Sequence, residues 1–200
     1  MPPLLTFLLM VVSGWLNRTQ LIVIDFTRMV SEVIELPLTA EALGERFREL
    51  CADPRFGNLP GKLELDLWGR ILMSPASNQH SVIQTRLARR LGALGGEPIV
   101  EASVMTSLGV LVADVAWASA EFMRAHAGET PFAQAPELCI EIASPSNSRN
   151  ELRDKVQAYL AAGALEAWIA YSQSQRCEFF GPGGQISESR FAVDLEGLFD

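Results

Sequence analysis

Lysine is nearly absent from this chain. Sixteen of its 200 residues are basic, and all but Lys62 and Lys155 are arginine. A bias in genome composition accounts for that ratio, yet it leaves two lysines whose positions can each be questioned. Cysteine is scarce as well. Cys51, Cys139 and Cys177 are odd in number, far apart and without a CxxC pair, which excludes a disulfide framework and a structural zinc site. Cys139 lies in the apolar run LCIEI and reads as a small core residue, and a reducing, cytoplasmic setting is expected. There is no surplus of positive charge either. The net charge of −8, from 24 acidic and 16 basic residues, argues against a broad basic surface for nucleic acid. Metal-dependent phosphate chemistry stays open, because a bound ion inverts the sign of the carboxylates that hold it.

Charge is missing from Met1 to Leu16, where LLTFLLMVV is strongly apolar. A secretory signal places positive charge ahead of such a run, and a membrane span needs about twenty apolar residues. Asn17 and Arg18 interrupt this one early. Residues 1–20 are therefore set apart as an atypical apolar segment. It can be an atypical or misassigned start of a soluble chain, a buried native element, or a membrane or export signal. The rest of the chain has no span, and no stable membrane association is expected. Residues 21–200 are read as one domain, of ordinary size, with an apolar fraction of 48% that can build a core.

Periodicity supplies the elements. LIVIDF at residues 21–26 is a β-branched run, and Leu43, Phe47 and Leu50 give helical spacing between Leu38 and Leu50. NLPG at 58–61 punctuates the chain. Leu63, Leu65 and Leu67 alternate with Glu64 and Asp66, the pattern of a half-buried strand. Trp68-Gly69 then turns into a second strand, Arg70 to Met73. From His80 to Leu94 a helix is expected with Val82, Leu87, Leu91 and Leu94 on one face. Arg86, Arg89 and Arg90 lie on the other, either solvated or facing phosphate. PIVEASVM and LGVLVADVAWAS read as strands, the second largely buried. In ELCIEIA, Leu138, Ile140 and Ile142 share one face and Cys139, Glu141 and Ala143 the other. Ser148 and Glu151 form a capping box for a helix whose stripe is Leu152, Val156, Tyr159 and Leu160, stopped at Gly163. ALEAWIAY and RCEFFG are strands, and FAVDLEGLF is expected as a short strand entering a helical turn. This order predicts a mixed α/β domain.

Asp114 and Glu141 are acids inside apolar strands. Burying a carboxylate costs several kcal/mol unless it is paired or metal-bound. If their strands are neighbours, both can offer hard oxygen to one Mg²⁺ or Mn²⁺. Alternatively, each sits at a strand end and reaches water or an arginine. Lys155 lies two turns into the following helix and borders its buried stripe. Its stem can reach the strand ends, to hold water or stabilise a phosphoryl charge. It can equally snorkel to solvent or pair with Glu151.

The ordered segments ELDLWGRILMSPAS, His80, ADVAWAS, CIEIASPSN and DKVQAYLAAGALEAWIAY, with the closing RFAVDLEGLF, resemble a large bacterial restriction endonuclease family expanded in cyanobacteria. That family belongs to the PD-(D/E)xK nuclease superfamily, and the resemblance runs from about Leu63 to the carboxyl terminus. It implies a restriction-endonuclease-like core, a central mixed β-sheet flanked by helices, and Mg²⁺- or Mn²⁺-dependent hydrolysis of DNA. Asp114 resembles the aspartate of the Pro-Asp strand motif and Glu141 the glutamate of the Glu-Val-x-Ser-Pro segment, both as metal ligands. Lys155 resembles the family's helix lysine, completing a catalytic trio. Glu64 resembles the acid opening the early strand, a supporting position. His80 matches a recurrent histidine, as a cap, a phosphate contact or a chemical group. Ala113 stands where proline is expected, and Ala143 where the usual Glu-x-Lys motif has its lysine. DNA is the implied partner, and cleavage of both strands would favour a homodimer. A non-catalytic member that binds nucleic acid or protein is the alternative.

Overall fold

The computed structural model describes residues 36–56, 61–74, 77–145 and 147–200. The expectations for residues 1–20, for LIVIDF, and for most of the NLPG turn lie outside them. Pro37–Asp200 forms one compact unit.

That unit is built from helices α1 (Ala40–Ala52), α2 (Asn78–Leu91), α3 (Ala120–Ala125) and α4 (Arg149–Ala161). Its strands are β1 (Lys62–Asp66), β2 (Ile71–Ser74), β3 (Glu97–Thr106), β4 (Gly109–Ala118), β5 (Leu138–Ala143), β6 (Glu166–Tyr171), β7 (Arg176–Gly181) and β8 (Gly184–Ile186). The strands form one mixed sheet in the order β2-β1-β4-β5-β6-β7-β8, with β3 also pairing to β4. All pairings are antiparallel except β5–β6. Helix α4 is the crossover between those two parallel strands, as a parallel pair requires.

Helices cover both faces. Cys139, on β5, packs with Leu152, Val156 and Tyr159 of α4. Leu138, Ile140 and Ile142, which alternate with it, pack with Ile83, Leu87 and Leu91 of α2. The expected division of β5 into two faces is therefore present. Leu43 and Phe47 of α1 close a third cluster over Leu65, Val110 and Val112. Thr39, Ser77, Ser119 and Ser148 each cap a helix through a side-chain oxygen. At Ser148 the full capping box with Glu151 is formed.

Two local expectations are corrected. In α2 the first buried residue is Ile83, and Val82 is 46% exposed. Ile83 lies four residues before Leu87 and eight before Leu91, and so shares their stripe, whereas Val82 is rotated about 100° off it. FAVDLEGLF forms neither a strand nor a helix. Its carbonyls are instead taken by α2: Arg86 donates to Leu198 and Asp200, and Arg90 to Asp194 and Glu196. Those two arginines pin the carboxyl terminus rather than forming a solvated face.

Candidate metal centre

The site arises where the sheet splits. β3 occupies one edge of β4 over its whole length. On the other edge β1 pairs only with the start of β4, at Leu65↔Val110 and Asp66↔Gly109. β5 pairs only with its end, from Val115↔Ile140 to Trp117↔Leu138. Backbone N–H groups next to the gap must find other acceptors, and acidic side chains supply them. Glu64 Oε1 accepts from Val112 N at 2.9 Å, and Asp114 Oδ2 accepts from Ile142 N at 2.7 Å. Asp114 and Glu141 stand one position beyond the last β4–β5 pair, and directly opposed residues lie close enough to interact.

The strand alternation also slips here. Ala113 and Ala116, three residues apart, both face the α4 core, while Val115 faces α2. Across the ladder, β3 pairs at Val100 and Ala102 but not at Glu101, whose φ is +56°. A left-handed glutamate is uncommon. This one faces Asp114 across the ladder and lines the same cleft.

Four further side chains converge on the carboxylates. The Lys62 ammonium lies 2.9 Å from Asp114 Oδ1, 3.1 Å from Glu141 Oε2 and 3.8 Å from Glu64 Oε1. The Lys155 ammonium lies 2.8 Å from both oxygens of Glu64 and 3.8 Å from Glu141 Oε1. Tyr159, one turn after Lys155, donates to Glu141 Oε1 at 2.7 Å. His80 Nε2 is 3.4 Å from Asp114 Oδ1, and Gln84 on the same helix donates to the Asp114 carbonyl at 2.8 Å. Asp114, Glu141 and Glu64 are each at most 4% exposed, and Lys155 is 9% exposed. Asp114, Glu141, Lys62 and Lys155 line a cleft, with His80 and Glu101, whose volume is about 30 Å³, room for an ion or one or two waters.

Electrostatics separate the two acids. Burial pushes the Asp114 carboxyl upward, but hydrogen bonding from His80, the Lys62 charge and the Ile142 N–H outweigh it and bring it to about 2. Glu141 goes the other way. Burial raises it, and its neighbour Asp114 adds to that, against the pull of Lys62 and Lys155. Lys62 is held above the ordinary lysine value: burial opposes its charge, but Glu141, Asp114 and Glu64 together prevail.

The arrangement brings Asp114, Glu141, Lys155, Glu64 and His80 into one place. Lys155 reaches Glu64, so neither solvent nor Glu151 is its partner. Lys62 and Tyr159 were not read as site residues from sequence. The scarcity of lysine was the one signal that pointed to Lys62. Tyr159 gave only a core-stripe signal, and Glu101 gave none.

Each carboxylate has one oxygen tied down by the protein, Asp114 Oδ2 by Ile142 N and Glu141 Oε1 by Tyr159. The other two, Asp114 Oδ1 and Glu141 Oε2, converge on one cation, the Lys62 ammonium. A hard-oxygen pair of this kind fits Mg²⁺ or Mn²⁺. Among the described residues no group of three or more His, Cys, Asp and Glu forms a ready metal cluster. Lys62 holds the space between two of the acids, and Lys155 engages the third.

A mixed sheet split at one edge, with acids from neighbouring strands and a lysine-bearing crossover helix beside them, defines the restriction-endonuclease-like class of α/β fold. Residues 45–198 match the family model described as Uma2, "Putative restriction endonuclease". The chain belongs to that family, and through it to the PD-(D/E)xK superfamily. Among solved structures, a protein described as a "putative nuclease belonging to DUF820" from Anabaena variabilis is similar in fold. Its TM-score is 0.53 at 20% sequence identity, covering 72% of this chain and 94% of that one. No curated protein sequence matches this chain.

Proposed function

We propose that this chain is a Mg²⁺- or Mn²⁺-dependent endonuclease that hydrolyses DNA phosphodiesters in the cytoplasm, acting on duplex DNA as a homodimer. The observation that carries the reading is the convergence of Asp114 Oδ1 and Glu141 Oε2, from neighbouring strands, on a single cation position. Asp114 and Glu141 hold the metal ion. When bound, such an ion supplies an activated water and neutralises charge on the phosphate. Ile142 N and Tyr159 keep the two carboxylates oriented by binding their other oxygens. Lys155 places a positive charge beside Glu141 and Glu64, where it orients water or offsets charge on the phosphoryl group. Glu64 positions that ammonium, and His80 orients Asp114 from the mouth of the cleft.

The test is Mg²⁺-dependent nicking of supercoiled plasmid by the wild type and by an Asp114→Asn/Glu141→Gln chain. The double variant is expected to fall to background while its circular dichroism is unchanged; retained nicking would defeat the assignment.

A second reading is a non-catalytic member of the fold that binds nucleic acid or protein. It is favoured by the two ammoniums, which offset most of the carboxylate charge without any metal. Its signature is no Mn²⁺ binding by the wild-type protein.

A further inference from the structure

The two lysines of the site are held in different ways. Lys155 is fixed by two 2.8 Å contacts to Glu64 and makes no contact with Asp114 within ion-pair range. Lys62 bridges Asp114 and Glu141 through the oxygens that Ile142 N and Tyr159 leave for a cation, with Glu64 Oε1 farther off at 3.8 Å. Among the described residues, His80 alone shares one of those bridged oxygens, at 3.4 Å. Lys62 is also the first residue of β1, paired there with Ser74 at the end of the edge strand β2. Its side chain is 10% exposed, so a path to solvent exists for an ammonium on a flexible four-carbon stem.

Charge bears on the same point. Three buried carboxylates are paired with two ammoniums, so the buried centre is close to balanced without metal; the fourth acid, Glu101, is exposed to solvent. A divalent ion placed between Asp114 and Glu141 with Lys62 still there would set like charges against each other, in a space of about 30 Å³. Like-charge juxtaposition at such range is strongly unfavourable. Two cations cannot share those oxygens, and Lys62 is the one able to leave.

We propose that Lys62 is the resident cation of the metal pocket, and that a divalent ion enters by displacing its ammonium from Asp114 and Glu141. This rests on the metal-centre reading above and adds an internal competitor to it. The lysine keeps the acids paired and folded before metal arrives. It also sets the metal concentration the protein requires. No covalent step is involved, only exchange of one cation for another.

Two measurements test it, neither of which depends on nuclease activity. The first is Mn²⁺ affinity by calorimetry for the wild type and a Lys62→Met chain. Removing the competitor is expected to tighten binding by roughly tenfold or more. The second uses the native chain, in which Lys62 and Lys155 are the only lysines. Reductive methylation is followed by peptide mass spectrometry with and without Mn²⁺. Saturating Mn²⁺ is expected to speed labelling of Lys62 several-fold and leave Lys155 protected. Equal or weaker Mn²⁺ binding by a folded Lys62→Met chain overturns the proposal while the metal centre stands. So does Lys62 labelling that ignores bound Mn²⁺. No Mn²⁺ binding by either chain removes both readings together. Should Lys62→Met not fold, the labelling of the native chain decides.

Discussion

Buried carboxylates in this chain meet two different fates. Glu166 in β6 is 1% exposed, yet it is fully engaged by neutral donors and one exposed guanidinium. Trp168 Nε1, Ser189 Oγ and the Arg190 N–H all donate to it, and Arg190 Nε lies 3.4 Å away. It ties the segment after β8 to the sheet. Glu64, Asp114 and Glu141 instead meet ammoniums, and Lys62 and Lys155 each lie within ion-pair range of more than one of them. Burial of an acid alone therefore does not mark a site; the identity of its partner does. Removing Lys155 tests how far Glu64 depends on it. Lys155→Met leaves that carboxylate with the Val112 N–H as its remaining strong donor, and breaking a buried pair in this way costs about 3–5 kcal/mol. Adding Glu64→Gln is expected to restore a large part of the loss, because the uncompensated charge is gone. Urea denaturation of the two single variants and the double gives the coupling, and simple additivity would show the pair is not mutually dependent.

At the scale of elements, the site depends on how a few of them begin and end. Helix α4 carries Lys155 and Tyr159 on consecutive turns, and its start is fixed by Ser148 and Glu151. Ser148→Ala is expected to cost about 1 kcal/mol in thermal or urea melts. A cost near zero would mean that packing of the stripe alone holds the helix in register. That cap was legible in the sequence because it is a contact three residues apart. The same locality made β1 readable from Leu63, Leu65 and Leu67, and β5 from its alternation. The slip at Asp114 was not legible, because it comes from two strands distorting together at Glu101 and Asp114. Gly109 belongs with it: its φ is +117°, and a Cβ there would strike the Leu65 carbonyl oxygen. Glycine thus permits the tight β3–β4 turn to lie against β1.

For the whole molecule, the carboxyl-terminal segment closes the α2 side of the sheet. Leu198 is fully buried in the cluster that contains Trp168, Ile140 and Leu91. Phe191 sets its edge near both Trp117 and Trp168. Arg86 and Arg90 hold the backbone of the segment from α2. Leu198→Ala is accordingly expected to destabilise by about 2–5 kcal/mol, seen as a lower melting midpoint followed by tryptophan fluorescence. A loss below 1 kcal/mol would mean the segment only rests on the sheet. Among the described residues, no helix is long and apolar enough to cross a membrane.

Local patterning specified most elements and the faces of β1, β5 and α4, because helical and strand periodicities are local properties; it misplaced Val82 and the FAVDLEGLF segment. It also marked Asp114 and Glu141 as acids needing a partner, since desolvation makes a lone buried carboxylate costly wherever it lies. The ordered motifs carried the family and placed Lys155 near them. Which cation each acid meets is set by long-range packing instead. The 48- to 91-residue separations that join Lys62 to Asp114, Glu64 to Val112 and Lys155 to Glu64 depend on strand order and register. Those are settled by packing across the whole sheet, and no local pattern encodes them.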